Sequence, residues 1–435
     1  MAEIGVPPPG ARLGPIRLSS GVSTRQALSF VYISLVGISI WGFIPLMLPY
    51  VLTEQVHAPA AMHGRIAGTL QLVQTFAAIV LVPLLGGLAD KYGRRWLLIL
   101  AMAGFTLAAV LYPSATTLAA LVAFNLIAGI AQTGNIAGGA TSVIDYPENA
   151  SRGKWVSLLL VGQVLSQIPG WLNGEGFTPV ETSRIAFWTL SVFTGLATFA
   201  AVRGIKADRG AGGKPDFNPL AEIRTSLANL KEVITYARRN PRFRLVLLVA
   251  CVMRSDFAIV ATFLSLWVAA EGRAHGVDAG AAMQTAGNMH FILMIGSFLV
   301  PLAVGFLVDR LNRILLIMLA VGFCTVAFLA PAFVGDVFGW GAVVAVALIG
   351  LGEGAIIVTT NSLLGQEAPE HLRGSALGIF ILLGLVGVAA INFVGGQLFD
   401  RVSPVAPFVL VAAFNALILV SALPHARELL RDAAR

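Results

Sequence analysis

Four ionisable side chains interrupt long apolar runs of this sequence: Arg254, Asp256, His290 and Glu353. Such groups are costly inside a lipid bilayer unless they face a water-filled cavity or a partner, so they are candidates for function. Arg254 lies roughly 15 Å inside its run at the rise of an α-helix, and could bind a solute anion or pair with an acid. Glu353 and Asp256 could carry protons or accept structural hydrogen bonds. A packed, hydrogen-bonded ring is a more common role for His290 than a proton relay.

Uncharged polar residues also recur in these runs at helical spacing. Residues three, four or seven apart share a helix face, which places Asn125, Gln132 and Asn135 together. Arg254 and Asp256 are two apart and point to different sides, so each needs its own partner. Trp41 is a packing or stacking residue. The candidates for one solute and coupling cavity are Trp41, Gln71, Asn125, Gln132, Asn135, Gln163, Gln167, Arg254, Asp256, Asn288, His290, Glu353, Asn361 and Asn392.

The elements that must position these side chains are membrane helices, each of which needs about 20 apolar residues. Candidates fall on runs 1, 2, 4, 5, 7, 8, 10 and 11, whereas runs 3, 6 and 9 have no Asn, Gln, His or charge in their interiors and run 12 has only Asn415. This segregation is what a polar path between two helix bundles requires. We expect twelve spans, numbered 1 to 12, at 28–52, 64–88, 95–115, 117–145, 154–175, 184–203, 243–269, 281–308, 314–333, 338–365, 374–399 and 404–424.

The composition indicates a polytopic membrane protein. Of the 435 residues, 57% are hydrophobic and 12% charged, against about 25% charged in a soluble domain. Cys251 and Cys324 both lie in apolar runs and are expected to be packing residues. No nucleophile–base motif, metal-ligand cluster or nucleotide loop is visible, so we expect neither an enzyme nor a bound metal or cofactor.

Basic residues predict the orientation of the chain. With the N-terminus inside, the inner segments hold 24 of the 29 Lys and Arg residues and the outer loops hold four. This bias predicts that both termini are cytoplasmic and explains the net charge of +7 without a nucleic-acid partner. The expected partners are the lipid bilayer, a small-molecule substrate and protons, with a monomer in the plasma (inner) membrane of the cell. No cleavable signal peptide is expected.

A long connection divides the chain into halves of six spans. Asn218 is a suitable N-cap and Pro219 suits the first helical position, so an amphipathic helix along the inner membrane face should follow. The expected organisation is a cytoplasmic N-terminal segment at 1–27, a bundle at 28–203, a linker at 204–242, a second bundle at 243–424 and a cytoplasmic tail at 425–435.

One short signature occurs at equivalent places in both halves, GGLADKYGRR at 86–95 and GFLVDRLNR at 305–313. Each predicts a tight, charged turn between two membrane helices. The first copy matches the loop motif G-x-L-x-D-[RK]-x-G-R-[RK] at every defined position, and the second has Asn312 in place of the later glycine. The chain therefore resembles the major facilitator superfamily of secondary transporters. The resemblance implies an all-α fold of twelve transmembrane helices in two six-helix bundles.

The resemblance also implies a cytoplasmic latch that holds the outward-open state. A carboxylate at a helix end can pair with arginines and lie near helix N-termini. By resemblance, the latch comprises Gly86, Asp90, Gly93, Arg94, Asp145, Glu148 and Arg152 in one half and Asp309, Arg313, Glu367, Glu370 and Arg373 in the other. Simple solvation of charged loops is the alternative.

These features predict a secondary active transporter of a small polar or anionic organic solute, working by alternating access and driven by protons in symport. An exporter of amphipathic compounds and a non-transporting sensor on the same fold are the alternatives. Two departures from the family bear on this choice. Asn125 opens the span 4 stretch where proton-coupled members carry an arginine, and the span 5 stretch at 162–174 lacks the glycine pattern of drug/proton antiporters.

Overall fold

The computed structural model describes residues 11–139, 146–148, 151, 154–155, 158–159, 179–205, 224, 231–308, 312–368 and 373–423. Long α-helices dominate these ranges, and two short strands precede them. The strands are β1 (Arg12–Leu13) and β2 (Ile16–Arg17). The helices are α1 (Thr24–Tyr50), α2 (His63–Tyr92), α3 (Arg95–Leu111), α4 (Leu118–Gly139), α5 (Pro179–Gly204), α6 (Pro241–Ala274), α7 (Ala279–Val308), α8 (Arg313–Leu329), α9 (Trp340–Glu367), α10 (Arg373–Arg401) and α11 (Ala406–Ala422).

These helices fall on the predicted spans. Helices α1 to α4 correspond to spans 1 to 4, α5 to span 6, and α6 to α11 to spans 7 to 12. Within the described ranges, nine stretches are long and apolar enough to cross a membrane, and α11 is a shorter apolar helix. The prediction of an all-α polytopic membrane protein is confirmed. Residues 160–178, which hold most of span 5, lie outside the described residues.

Side-chain caps explain where several helices begin. Ser23 and Gln26 form a reciprocal capping box at the start of α1. The Asn240 side chain accepts hydrogen bonds from the first amides of α6, where Pro241 takes the first position. Asn312 caps α8 in the same way through Ile314 N and Leu315 N. The second signature copy therefore uses its asparagine to begin a helix.

The first signature copy differs from the expected turn. Helix α2 continues through Asp90 to Tyr92, and only Gly93 and Arg94 separate it from α3. Gly93 ends α2 with a φ of 87°, a backbone conformation that favours glycine. The expectation that the whole signature forms a turn is wrong, because charged residues at a membrane boundary do not by themselves end a helix.

A docked hairpin precedes α1. Strands β1 and β2 pair antiparallel, and Leu18 forms an isolated bridge with Pro147. Ser19 N donates to Tyr146 O, and Glu148 N donates to Arg17 O, both at 2.9 Å. The Leu18 side chain is fully buried. The segment before the first span is therefore tied to the region that follows α4.

Replacing Leu18 by aspartate should release this hairpin. Burying a leucine contributes about 1.5–3 kcal/mol, and a carboxylate in its place would have to leave the core. We expect trypsin to cleave after Arg12, in the first strand of the hairpin, at least tenfold faster in the Leu18→Asp variant. The exposed Ser20→Asp is the matched control and should be cleaved at the wild-type rate. Equal rates for all three proteins would show that the hairpin is not held by this side chain.

The two halves meet closely where α2 begins and α10 ends. A methyl group on Gly64 would lie 2.6 Å from Gly396 O, and one on Gly68 would lie 2.5 Å from Asn392 O. Such small residues allow helix backbones to approach closely in a membrane. At the same end, Asp400 carboxylate oxygens accept hydrogen bonds from Gly64 N and Arg65 N, both at 2.8 Å. We call Gly64, Arg65 and Asp400 the clasp.

Candidate functional site

One cavity lies among the first four helices and reaches the second half. Its volume is about 40 Å³, and the space free of protein atoms in and around it, which includes the open surroundings, is about 530 Å³. Helices α1 to α4 supply nearly all of its described lining, and α6 supplies Thr262. The lining residues are Ile40, Ile44, Pro45, Leu48, Ala67, Leu70, Gln71, Gln74, Phe105, Asn125, Ala128, Gln132 and Thr262. The cavity thus brings together three residues of the predicted set, namely Gln71, Asn125 and Gln132.

Asn125 is held on both sides of its amide. Its Nδ2 donates to Leu70 O at 3.1 Å, and its Oδ1 accepts from the Tyr112 hydroxyl at 3.0 Å. Because both ends of the amide are occupied, Asn125 fixes the spacing of α2 and α4 around the cavity. Gln71 has a weaker contact, from its Nε2 to Thr75 Oγ1 at 3.4 Å.

The side chain of Gln132 is less fully hydrogen-bonded than that of Asn125. Its Oε1 is buried and has no hydrogen-bond partner among the described residues. Asn135, one turn further along α4, packs against α1, since a methyl group on Gly37 would lie 2.5 Å from Asn135 Nδ2. Of the two amides, Gln132 is therefore the one that lines the cavity.

Arg254 lies on α6 and packs against α10. A methyl group on Gly384 would lie 3.1 Å from Arg254 Cγ and 3.2 Å from its Nε. This Nε is buried without a hydrogen-bond partner in the described part of the chain. Arg254 is not part of the cavity lining described above.

Asp256 points away from Arg254, toward α11. Its side chain is fully buried, and both carboxylate oxygens accept from Asn415 Nδ2 at 3.4 Å. Asn415 lies on span 12, which has no other Asn, Gln, His or charged residue in its interior. The structure gives the reason for this single polar residue, because Asn415 is the hydrogen-bond partner of the buried Asp256.

Glu353 lies on α9 and is 1% exposed. Its Oε2 accepts from Ser297 Oγ at 3.2 Å, and Ser297 Oγ also lies 3.1 Å from Gly350 O. Its Oε1 has no hydrogen-bond partner in the ranges described. The second half therefore contains two buried acids, Asp256 and Glu353, and neither is in the described lining of the cavity.

The other predicted residues lie in varied surroundings. His290 is buried, with Nδ1 3.0 Å from Ala286 O. Asn392 is buried and donates to Val388 O, whereas Asn288 and Asn361 are exposed. The Trp41 side chain, Gln163 and Gln167 lie outside the described residues.

Parts of the predicted latch are visible. Glu367 Oε2 accepts from Asn240 Nδ2 at 3.2 Å, and Glu367 Oε1 lies 3.7 Å from Arg242 Nη1. Arg313 Nη1 donates to Gln366 Oε1 at 3.1 Å. Arg94 lies in the turn after Gly93, and Glu148 lies beside the hairpin. Outside the described residues lie Asp145, Arg152, Asp309 and Glu370, and so do the side chains at positions 86, 90 and 373.

Sequence reasoning missed three contributors. Ser297 and the pairing of Asn415 with Asp256 come from helices far apart in the chain. Asp400 is part of the clasp and was not among the predicted residues. A polar residue on an otherwise apolar span was the available signal for Asn415.

Comparison with known proteins settles the family. The model of the Major Facilitator Superfamily matches residues 29–391. The chain belongs to the major facilitator superfamily. Its fold and its relatives are those of transporters. Among the described residues, no group of three or more His, Cys, Asp or Glu side chains could hold a metal ion.

Individual superfamily members resemble the whole chain. The magnetosome protein MamH of Paramagnetospirillum magneticum is 25% identical over 96% of this chain and 94% of its own length. The class E tetracycline resistance protein of Escherichia coli is 25% identical over 85% of this chain and 87% of its own. The nucleoside transporter NupG shares the fold with a TM-score of 0.71 at 14% identity, covering 92% of this chain and 98% of its own.

Proposed function

We propose that this superfamily member is a secondary active transporter that moves a small organic solute by alternating access of its two halves, coupled to protons. The observation that carries the coupling is the burial of two acids, Asp256 and Glu353, among the helices of the second half. One oxygen of Glu353 has no hydrogen-bond partner among the described residues and is therefore free to accept a proton. A carboxyl group in an apolar bundle that can bind a proton and pass it on is a common device of transporters.

The proposal includes orientation and place. With both termini cytoplasmic, the Lys and Arg residues concentrate on the inner side, and the clasp lies on the outer face. The plasma (inner) membrane is the proposed location. The latch residues would then hold the inner face closed in the outward-open state. The clasp would hold the outer face closed in the inward-open state.

An exporter of amphipathic compounds is the second candidate function. The relatives include proteins named for tetracycline resistance, and the cavity has an extensive apolar wall. Export and uptake use the same fold and differ in the direction of coupling. Raised drug sensitivity on deletion of the gene would favour export, and loss of growth on a nutrient would favour uptake.

Neutralising both acids should abolish coupling. We expect the double variant Glu353→Gln, Asp256→Asn in proteoliposomes to lose at least 90% of solute accumulation driven by an imposed pH gradient, because neither group can carry a proton. Exchange of labelled for unlabelled solute across the same vesicles should survive, because exchange needs no net proton movement. Labelled uridine, chloramphenicol, succinate and tetraphenylphosphonium are the probes, and the proton flux is followed with a trapped pH-sensitive dye.

The exposed acid of the linker provides the control. Glu232→Gln removes a carboxylate outside the bundles and should accumulate solute at the wild-type rate. Gradient-driven accumulation in the double variant at wild-type rate would refute coupling through these acids. Absence of any transport of the four probes by the wild-type protein, in both directions and with folded protein confirmed, would count against the transporter proposal itself.

A further inference from the structure

We infer that the cavity among α1 to α4 binds an uncharged solute that has one hydrogen-bonding edge and one apolar face, and that Gln132 selects for it. This inference rests on the proposed transport function and specifies its substrate class. It narrows the expectation from the sequence, which admitted organic anions bound through Arg254.

The cavity wall supplies hydrogen bonding without charge. Its polar side chains are Gln71, Gln74, Asn125, Gln132 and Thr262, and none of the described lining residues is ionisable. A charged solute entering this space would lose hydration without gaining an opposite charge, which is strongly unfavourable in an apolar setting. An uncharged solute loses far less hydration free energy, and the carboxamides of the cavity wall can form hydrogen bonds in place of those that the solute made with water.

Arg254 and the buried acids are directed elsewhere. Arg254 packs on the α10 backbone at Gly384, Asp256 is bound to Asn415, and Glu353 is bound to Ser297. None of the three is in the described lining. The arrangement separates a neutral solute site in the first half from the acids in the second.

Gln132 is the polar group of the wall that most needs a ligand. Asn125 is satisfied at both ends by Leu70 and Tyr112, whereas Gln132 Oε1 is buried and lacks a partner in the described part of the chain. A buried carbonyl oxygen without a hydrogen bond is unfavourable, and a donor on the solute would satisfy it. The solute must therefore carry an N–H or O–H group.

Most of the described lining is apolar. Its larger apolar side chains are Ile40, Ile44 and Leu48 on α1, with Leu70 on α2 and Phe105 on α3. Ligand sites of this kind combine an apolar lining with a few placed polar groups. The solute therefore carries an apolar face, such as an aromatic or heterocyclic ring, in addition to its hydrogen-bonding edge.

Binding of four probes to the purified full-length protein tests this inference. Uridine and chloramphenicol are uncharged and amphipathic, succinate is an anion, and tetraphenylphosphonium is an apolar cation. We expect one or both uncharged probes to bind, measured by calorimetry and by the rise in unfolding temperature that ligands produce. Gln132→Leu should weaken that binding about tenfold, the effect of one lost hydrogen bond. Succinate should bind neither protein.

Two further variants separate recognition from folding. Gln132→Glu keeps an acceptor and adds a negative charge, so it should gain measurable affinity for tetraphenylphosphonium, which a merely structural role would not produce. Gln284→Leu makes the same change at an exposed position of α7 and should bind as wild type. Failure of both uncharged probes to bind, unchanged binding in Gln132→Leu, or binding of succinate to the wild type would each overturn the inference. Binding of an uncharged probe that is never transported would instead count against the proposed function alone.

Discussion

Replacing Gly387 by alanine should unfold or severely destabilise the second bundle. A methyl group at this position of α10 would run into the Cys251 carbonyl group of α6 and lie 2.9 Å from Ser255 Oγ. Its neighbour is backbone, which cannot rotate aside, so the two helices would have to separate. Overpacking costs about 1–3 kcal/mol and sometimes more, and we expect the upper end of that range. The measurement is the midpoint of thermal unfolding in detergent, with the yield of monodisperse protein.

The same helix contains a matched control. A methyl group on Gly378 would meet no heavy atom within 4 Å among the described residues, so Gly378→Ala should leave the midpoint unchanged or raise it slightly, because alanine favours a helix. If Gly387→Ala unfolds at the same temperature as Gly378→Ala, then α6 and α10 are not packed as closely as described.

The sequence could predict the helices because the bilayer imposes one simple requirement on them. A run of about 20 apolar residues must be a helix to satisfy its own backbone, and this is enough to locate α3, α8 and α9 within a few residues of their ends. Helix ends that depend on single backbone conformations are harder to predict. The continuation of α2 to Tyr92 required knowing that Gly93, and not the first glycines of the signature, ends it.

The candidate site could be predicted only as a set of residue types. Polarity on a span indicates that a side chain faces something other than lipid, which is true of Gln132, Asp256 and Glu353 alike. Polarity alone does not show whether the side chain faces a cavity or another helix. Which partner each one has depends on how helices distant in sequence cross, as Asp256 and Asn415 illustrate at a separation of 159 residues.

The same dependence on helix crossing governs two further interhelical contacts of charged side chains, those of Arg254 and Asp400. The spacing of Arg254 and Asp256 correctly placed them on different sides of α6, because helical geometry alone decides that. The sequence could not show that Arg254 packs on a glycine of α10, since a glycine carries no signal of what approaches it. The clasp at Asp400 was equally hidden, because its partners are backbone amides.

Removing the Asp400 carboxylate should separate the halves at the clasp. This side chain is 2% exposed and accepts from two amides at the start of α2 and from Arg65 Nε at 3.3 Å. A negatively charged cap at a helix N-terminus contributes about 1–2 kcal/mol. Since the contact joins the two halves, Asp400→Ala should shift their equilibrium toward the state in which this end is open, by about 30-fold for 2 kcal/mol.

Distances between spin labels measure this shift directly. Met62 and Val402 are exposed beside the clasp, so labels on Met62→Cys and Val402→Cys, with Cys251 and Cys324 replaced, report the separation of α2 and α10. We expect Asp400→Ala to add a long-distance population, and Asp400→Asn, which retains an acceptor, to add a smaller one. Glu271→Gln alters an acid that pairs within its own helix end, with His275, and should leave the distribution unchanged. An identical distribution in Asp400→Ala and wild type would show that the glycine contacts of Gly64 and Gly68 hold this end closed without the carboxylate.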